Sequence, residues 1–102
     1  MEKKIITVNP DIVADIQLKD ASRQTALDIV SNLLDLHRLD TDLSFMDQPV
    51  YKRLSADADA KKLEWDKAKD AMIQKVIPKD EIDRIKDWSL DYMTGRLSYV
   101  LA

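Results

Sequence analysis

A helix-dominated α+β fold is predicted by this sequence: a long antiparallel helical hairpin with a small C-terminal β-hairpin, which an N-terminal strand can join. Three observations carry that expectation. Glycine occurs once, as Gly95, and proline three times, as Pro10, Pro49 and Pro78, so the few breakers divide the 102 residues cleanly. Between them, two long segments place apolar residues with a helical period. After Pro78 the period drops from 3.6 to 2.

At the N-terminus, Lys4 to Val8 is short and β-branched and reads as a strand. Asn9 and Pro10 then form a helix start, because asparagine accepts from open amides and proline suits the first turn. The helix is expected to run to about Asp40, with a weak stretch between Gln17 and Thr25 where a kink is the alternative. In its second half Ala26, Leu27, Ile29, Val30, Leu33, Leu34, Leu36 and His37 cover about half of the circumference, which predicts contact with more than one neighbour.

Asp40 to Gln48 carries no helical period and reads as a connection, with Asp47 as the candidate cap before Pro49. It is long for a helical hairpin and holds Leu43, Phe45 and Met46, which either fold back or form an apolar tip. The second helix is expected from Val50 to Ile77, where Pro78 stops it. Its stripe is Val50, Tyr51, Leu54, Ala58, Trp65, Ala68, Met72 and Val76, while Ala56, Ala60 and Leu63 form a second, weaker strip nearly opposite Trp65. About 28 residues span roughly 40 Å, matching the first helix and favouring an antiparallel pair.

After Pro78 a short helical turn on Ile82 and Ile85 is expected. Over 88–101, Trp88, Leu90 and Tyr92 alternate with polar residues, Gly95 supplies the turn, and Leu97, Tyr99 and Leu101 alternate again, a β-hairpin pattern. An isolated hairpin is marginal in water, so this one should lie on the helices. The apolar strand Tyr99, Val100, Leu101 must be covered within the domain, paired in a homodimer, or kept for a partner by strand addition.

Composition narrows the function classes. Hydrophobic residues make up 45% and charged residues 34%, which suits one globular domain over 1–102 and excludes intrinsic disorder. There is no cysteine, so disulfides, thiolate metal sites and cysteine nucleophiles are excluded. No stretch approaches the roughly 20 apolar residues of a membrane span, and the start MEKKIITVNPDI has no signal-peptide core, so a cytoplasmic protein is expected. The net charge is −3, with 16 basic residues interspersed among 19 acidic ones, which disfavours bulk nucleic-acid binding.

Catalytic templates fail one by one. His37 is the sole histidine, and Arg38 lies on a different side of the helix, so a phosphotransfer role ranks low. The carboxylate pairs Asp11/Asp15, Asp57/Asp59 and Asp83/Asp87 are expected by chance among so many acids. Asp40-Thr-Asp42 opens like a calcium loop, but Phe45 stands where its glycine must be and Tyr51 where its glutamate must be. With one glycine no phosphate-cradling loop exists. The expectation is therefore no enzyme, no cofactor and no metal. Lys61, Lys62, Lys67 and Lys69, with Arg53, form a basic run on the second helix, and a nucleic-acid-associated protein is the alternative they suggest.

The order of features also resembles that of small accessory proteins encoded beside bacterial CXXX-repeat peptide modification systems, and of other short bacterial and phage proteins. The matching residues are Arg23 with Ala26 and Leu27, then Trp65, then Trp88, Leu90, Asp91, Tyr92, Thr94 and Gly95 in an ending of the form W-x-[IL]-D-[FY]-x-T-G. This chain has one tryptophan in the second helix where the family often has a pair. The resemblance implies an accessory, partner-binding role without catalytic residues.

The expected function is a non-enzymatic interaction module, an accessory subunit or small inhibitor that binds a larger protein. Three surfaces are its candidates: Leu43, Phe45 and Met46 in the connection; Ala56, Ala60 and Leu63 on the second helix; and Tyr99, Val100 and Leu101 at the end. A homodimer through the last of these is a variant of the same reading.

Overall fold

The computed structural model of the protein describes residues 2–37 and 44–102, and it is mainly helical α+β. In order the elements are β1 (Glu2–Thr7), α1 (Pro10–Leu36), a 3-10 turn (Ser44–Asp47), α2 (Pro49–Val76), α3 (Lys79–Ile82), β2 (Ile85–Asp91) and β3 (Arg96–Leu101). The chain groups into two compact units. One is Met1–Leu18 with Lys67–Ala102, the other is Lys19–Asp66, and both long helices contribute to each.

α1 begins as its sequence dictates. The Asn9 carbonyl accepts from the amides of Ile12 and Val13 at 3.0 and 3.1 Å, and Asn9 Oδ1 accepts from the Asp11 amide at 2.9 Å. Amides at the open end of the helix are thereby satisfied. The weak stretch is helical throughout, and its polar side chains bond along the helix. Arg23 Nη2 donates to Asp20 Oδ1 at 2.6 Å, Thr25 Oγ1 to the Ala21 carbonyl at 3.0 Å, and Gln24 Nε2 to Asp28 Oδ1 at 3.0 Å. These are the one-turn spacings that support a helix.

Asp47 does not cap α2. It closes the 3-10 turn, and the Gln48 carbonyl accepts the first helical bond from Lys52 at 3.1 Å. Proline at the first helical position has no amide to satisfy, so the cap lies one residue later than expected. α2 ends at Val76, and the Pro78 carbonyl then takes the amides of Glu81 and Ile82 to start α3.

The three strands form one antiparallel sheet in the order β1-β3-β2. The C-terminal strand is therefore central, with Tyr99 opposite Lys4 on one side and Trp88 on the other. The hairpin starts at Ile85, three residues before the alternation that reveals it. A register shift between Ile85 and Asp87 leaves Lys86 as the extra residue, so odd-numbered Ile85 shares a face with even-numbered Trp88 and Leu90. Ile85 accordingly belongs to a strand and not to the short helix.

The alternating face of β3 is the centre of the core. Leu97 and Leu101 are 0% exposed and Tyr99 is buried, together with Val8, Val13 and Ile16 near the N-terminus and Met72, Ile73 and Ile77 at the end of α2. All of these lie in the first unit. In the second unit Ala26 and Val30 are the buried apolar residues among those described.

The turn of the hairpin is built by Asp91 and Gly95. Asp91 Oδ1 accepts from the Met93 amide at 2.9 Å, its carbonyl accepts from the Gly95 amide at 2.8 Å, and the Gly95 carbonyl accepts from the Val8 amide at 2.8 Å. Gly95 has φ 72°, a conformation that costs an L side chain about 1–2 kcal/mol. A Cβ there would meet the Val8 carbonyl oxygen at 3.4 Å and Val13 Cγ2 at 3.7 Å, which is tolerable contact. Gly95→Ala is thus expected to lower stability by about 1–2 kcal/mol through backbone strain alone, measured as a lower urea midpoint with an unchanged slope.

Candidate interaction surface

The first unit holds one buried charge among the described residues. Glu81, on α3, is 6% exposed, forms an ion pair with Lys4 Nζ of β1, and accepts a hydrogen bond from the Tyr99 hydroxyl of β3 at 3.1 Å. The three groups join an edge strand, the central strand and the short helix at one point. The bond to Lys4 holds the Glu81 carboxyl below its ordinary 4.5, against the opposing effect of burial, with Tyr99 and Arg84 adding in the same direction. The same bond raises Lys4 above 10.5. Burial, then Glu81, raises Tyr99 above 10.0.

The sign of the pH dependence follows from these directions. Glu81 contributes stability in full above about pH 4.5, and the contribution disappears as pH falls through its lower folded value. Tyr99 and Lys4 contribute in full below about 10 and 10.5, and lose their contribution as pH rises through their higher folded values. Asp91, lowered chiefly by the Met93 amide, adds to the acid limb. Urea unfolding is therefore expected to give a plateau from about pH 5 to 10. The Glu81→Gln variant should show a flatter acid limb.

The second unit presents its apolar residues differently. Here the α1 segment pairs with the α2 segment, and Arg23 lies 4.3 Å over the Trp65 ring. On α1 the inward stripe is Ala26, Val30, Leu33 and His37, buried or half-buried. Leu27 and Leu34 lie about 80° to one side of that stripe, and Ile29 and Leu36 about 80° to the other. All four flanking residues are exposed, Leu36 by 79%. The expectation that this broad apolar arc is covered by several neighbours does not hold within the described chain. One antiparallel partner helix covers a narrow stripe, and the flanks stay open.

The sequence-derived candidates fall into different environments. Ala56, Ala60 and Leu63 are exposed on α2, Leu63 by 54%, as the strip opposite Trp65 requires. Met46 is exposed in the 3-10 turn that also contains Phe45, while Leu43 lies outside the described residues. Tyr99 and Leu101 are core residues, a correction to their assignment as a docking strand. Of the three fates open to that strand, cover within the domain is realised, since both edges of β3 are paired and neither is free for addition or for a homodimer. Val100, half-buried on the other face, lines a shallow recess of about 220 Å³ with Lys3, Asp87, Ser89 and Ser98.

The remaining candidates do not converge. At about 100° per residue Lys62 and Lys69 fall within about 20° of each other while Lys61 and Lys67 lie roughly 80° or more away from both, so the four form no single row, and Lys69 lies over the Trp88 ring at 5.9 Å. His37 is half-buried just past the end of α1. Among the described residues no three His, Cys, Asp or Glu side chains gather as a metal site, and no helix is long and apolar enough to cross a membrane.

Fold and surface together define a small α+β protein with a well-packed sheet unit and a helical unit that leaves large apolar side chains in solvent. Compared with known proteins, the chain matches no family model, no curated protein and no solved structure.

Sequence reasoning missed two features. Glu81 sits in the charged run Lys-Asp-Glu-Ile-Asp-Arg, where nothing separates it from its solvated neighbours until β3 and β1 are paired. The α1 flanks were visible as apolar positions but were assigned to the core. The signal that distinguishes them is the charged character of the flanks of α2, which offers no matching apolar surface.

Proposed function

We propose that this chain is a non-enzymatic protein-interaction module, an accessory subunit or small inhibitor, that binds a larger protein through the helical unit Lys19–Asp66. The observation that carries the reading is the exposure of Leu27, Ile29, Leu34 and Leu36 on α1, with the Ala56, Ala60 and Leu63 strip and Met46 in the same unit. Clusters of exposed apolar side chains of this kind mark interaction sites on otherwise soluble proteins. The accessory role implied by the W-x-[IL]-D-[FY]-x-T-G ending agrees with it. The cytoplasm is the compartment we assign, because a chain with no cysteine depends on no oxidising environment.

Affinity capture from the native host tests the reading when wild type is compared with Leu63→Gln carrying Ala56→Gln and Ala60→Gln, and separately with glutamine at the four α1 positions. A larger protein should be retained by wild type and lost from at least one variant set. Retention by both sets, or recovery of the chain by itself from wild type, argues against it.

A further inference from the structure

The sheet ends at β1 and at β2, because β3 is paired on both sides. The two ends differ. β2 is interrupted by the extra residue Lys86, and a bulge of this kind turns an edge away from further pairing. β1 keeps one register with β3 over Glu2–Thr7 and contains no proline. Residues of an antiparallel ladder alternate between pointing both main-chain groups at the partner strand and pointing both away. One pair beyond Thr7 and Arg96, the Val8 amide donates to the Gly95 carbonyl at 2.8 Å, which turns the even-numbered residues of β1 toward β3. The amides and carbonyls of Lys3, Ile5 and Thr7 therefore face outward, and all three residues are exposed, Ile5 by 59%.

From this edge we infer that β1 pairs with β1 of a second copy of the chain, antiparallel, with the two-fold axis at Ile5. An axis perpendicular to the sheet keeps each face on its own side, so residues opposite each other are both odd or both even. With the axis at Ile5, Ile5 meets Ile5, Lys3 meets Thr7 and Thr7 meets Lys3, so every outward-facing residue of both strands is used. The exposed Ile5 side chains then cover each other, and Lys4 lies opposite Ile6. An axis at Lys4 or at Lys3 sets lysine against lysine, which destabilises a sheet. An axis at Ile6 leaves Lys3 beyond the end of the partner strand. Lysines on an edge strand ordinarily deter pairing. Here the Lys4 ammonium is held by Glu81 on the inner face, and Lys3 finds a threonine. The contact is one pair of short strands with one apolar pair at its centre, so the dimer is weak and depends on concentration. It uses no residue of the helical unit.

The chain has no cysteine, so a single introduced thiol reports the register. Opposed residues of a hydrogen-bonded pair have Cα atoms about 5.5 Å apart, within reach of a disulfide. With oxidised glutathione Ile5→Cys should give a disulfide-linked dimer, and Lys3→Cys, whose two copies stand about 13 Å apart, should stay monomeric. Sedimentation equilibrium of wild type should show a dimer fraction that rises with concentration. Ile5→Pro removes an amide that makes no bond to β3, and Ile5→Lys keeps the main chain but sets lysine against lysine. Each should weaken association at least about tenfold with an unchanged circular dichroism spectrum. If Ile5→Pro unfolds, Ile5→Lys carries the comparison. Glutamine at Leu27, Ile29, Leu34 and Leu36 should leave the dimer as it is. Monomer alone at every concentration reached, equal cross-linking of Ile5→Cys and Lys3→Cys, or a dimer that ignores Ile5→Lys overturns the proposal. A dimer abolished by the four glutamines moves the contact to α1 and overturns it as well. Capture of a larger protein by the helical unit is read separately and stands or falls independently of these outcomes.

Discussion

Leu97→Ala is expected to destabilise the folded chain by about 2–5 kcal/mol, the range for truncating a fully buried leucine. Leu97 is 0% exposed on the central strand, opposite Ile6 of β1 and Leu90 of β2, so the lost methyl groups leave a cavity bounded by both neighbouring strands. A domain of this size has a total stability of about 5–15 kcal/mol, so the change removes a large share of it. Urea unfolding followed by circular dichroism measures it directly. The contrast with Leu36→Ala sharpens the result. Leu36 is 79% exposed, and its truncation should fall within about 0.5 kcal/mol of wild type. Two leucines of the same size would then differ several-fold in their effect, according to the unit each occupies.

Glutamine at Leu27, Ile29, Leu34 and Leu36 together is expected to do the reverse. Glutamine is close to leucine in helix propensity, and these side chains are 38% to 79% exposed in the free protein, so the four changes together should cost only about 1–3 kcal/mol of stability. Binding to the larger partner should fall by at least about a hundredfold, since a few apolar anchors carry most of the energy of an interface. The same replacement at Ala26 and Val30 should unfold the helical unit, because those two residues are buried. Titration of purified partner against each folded variant provides the comparison.

The two long helices were legible because their signals are local. Asn9 with Pro10 starts one, Pro49 the other, and Pro78 ends the second, each through backbone chemistry that needs no knowledge of the partner. The alternation of Leu97, Tyr99 and Leu101 was equally plain, as was Gly95 at the turn. Which strand would be central was not. Tyr99 to Leu101 looks like an exposed edge until β1, nearly the whole chain away in sequence, pairs with it. The bulge at Lys86 hid the start of β2 for a related reason, since one inserted residue inverts the alternation that identifies a strand.

The surface was half legible. Ala56, Ala60 and Leu63 are exposed as their angular position on the helix requires. The α1 flanks carry a period that fits a core as well as an interface, and only the width of the opposing α2 stripe decides between the two. Glu81 is the harder case. Its burial depends on Lys4 and Tyr99 arriving from both ends of the chain, and no local pattern encodes that meeting.

Site-specific photo-crosslinking in the native host bears most directly on the central claim that the helical unit is the docking surface. A photoreactive residue is placed in turn at Leu36 and Leu63 in that unit, and at Ser89 on the exposed outer face of the sheet. The expected result is a covalent adduct with a larger protein from Leu36 or Leu63 and none from Ser89. Adducts from Ser89 alone, or only uncrosslinked chain from all three positions, would contradict it.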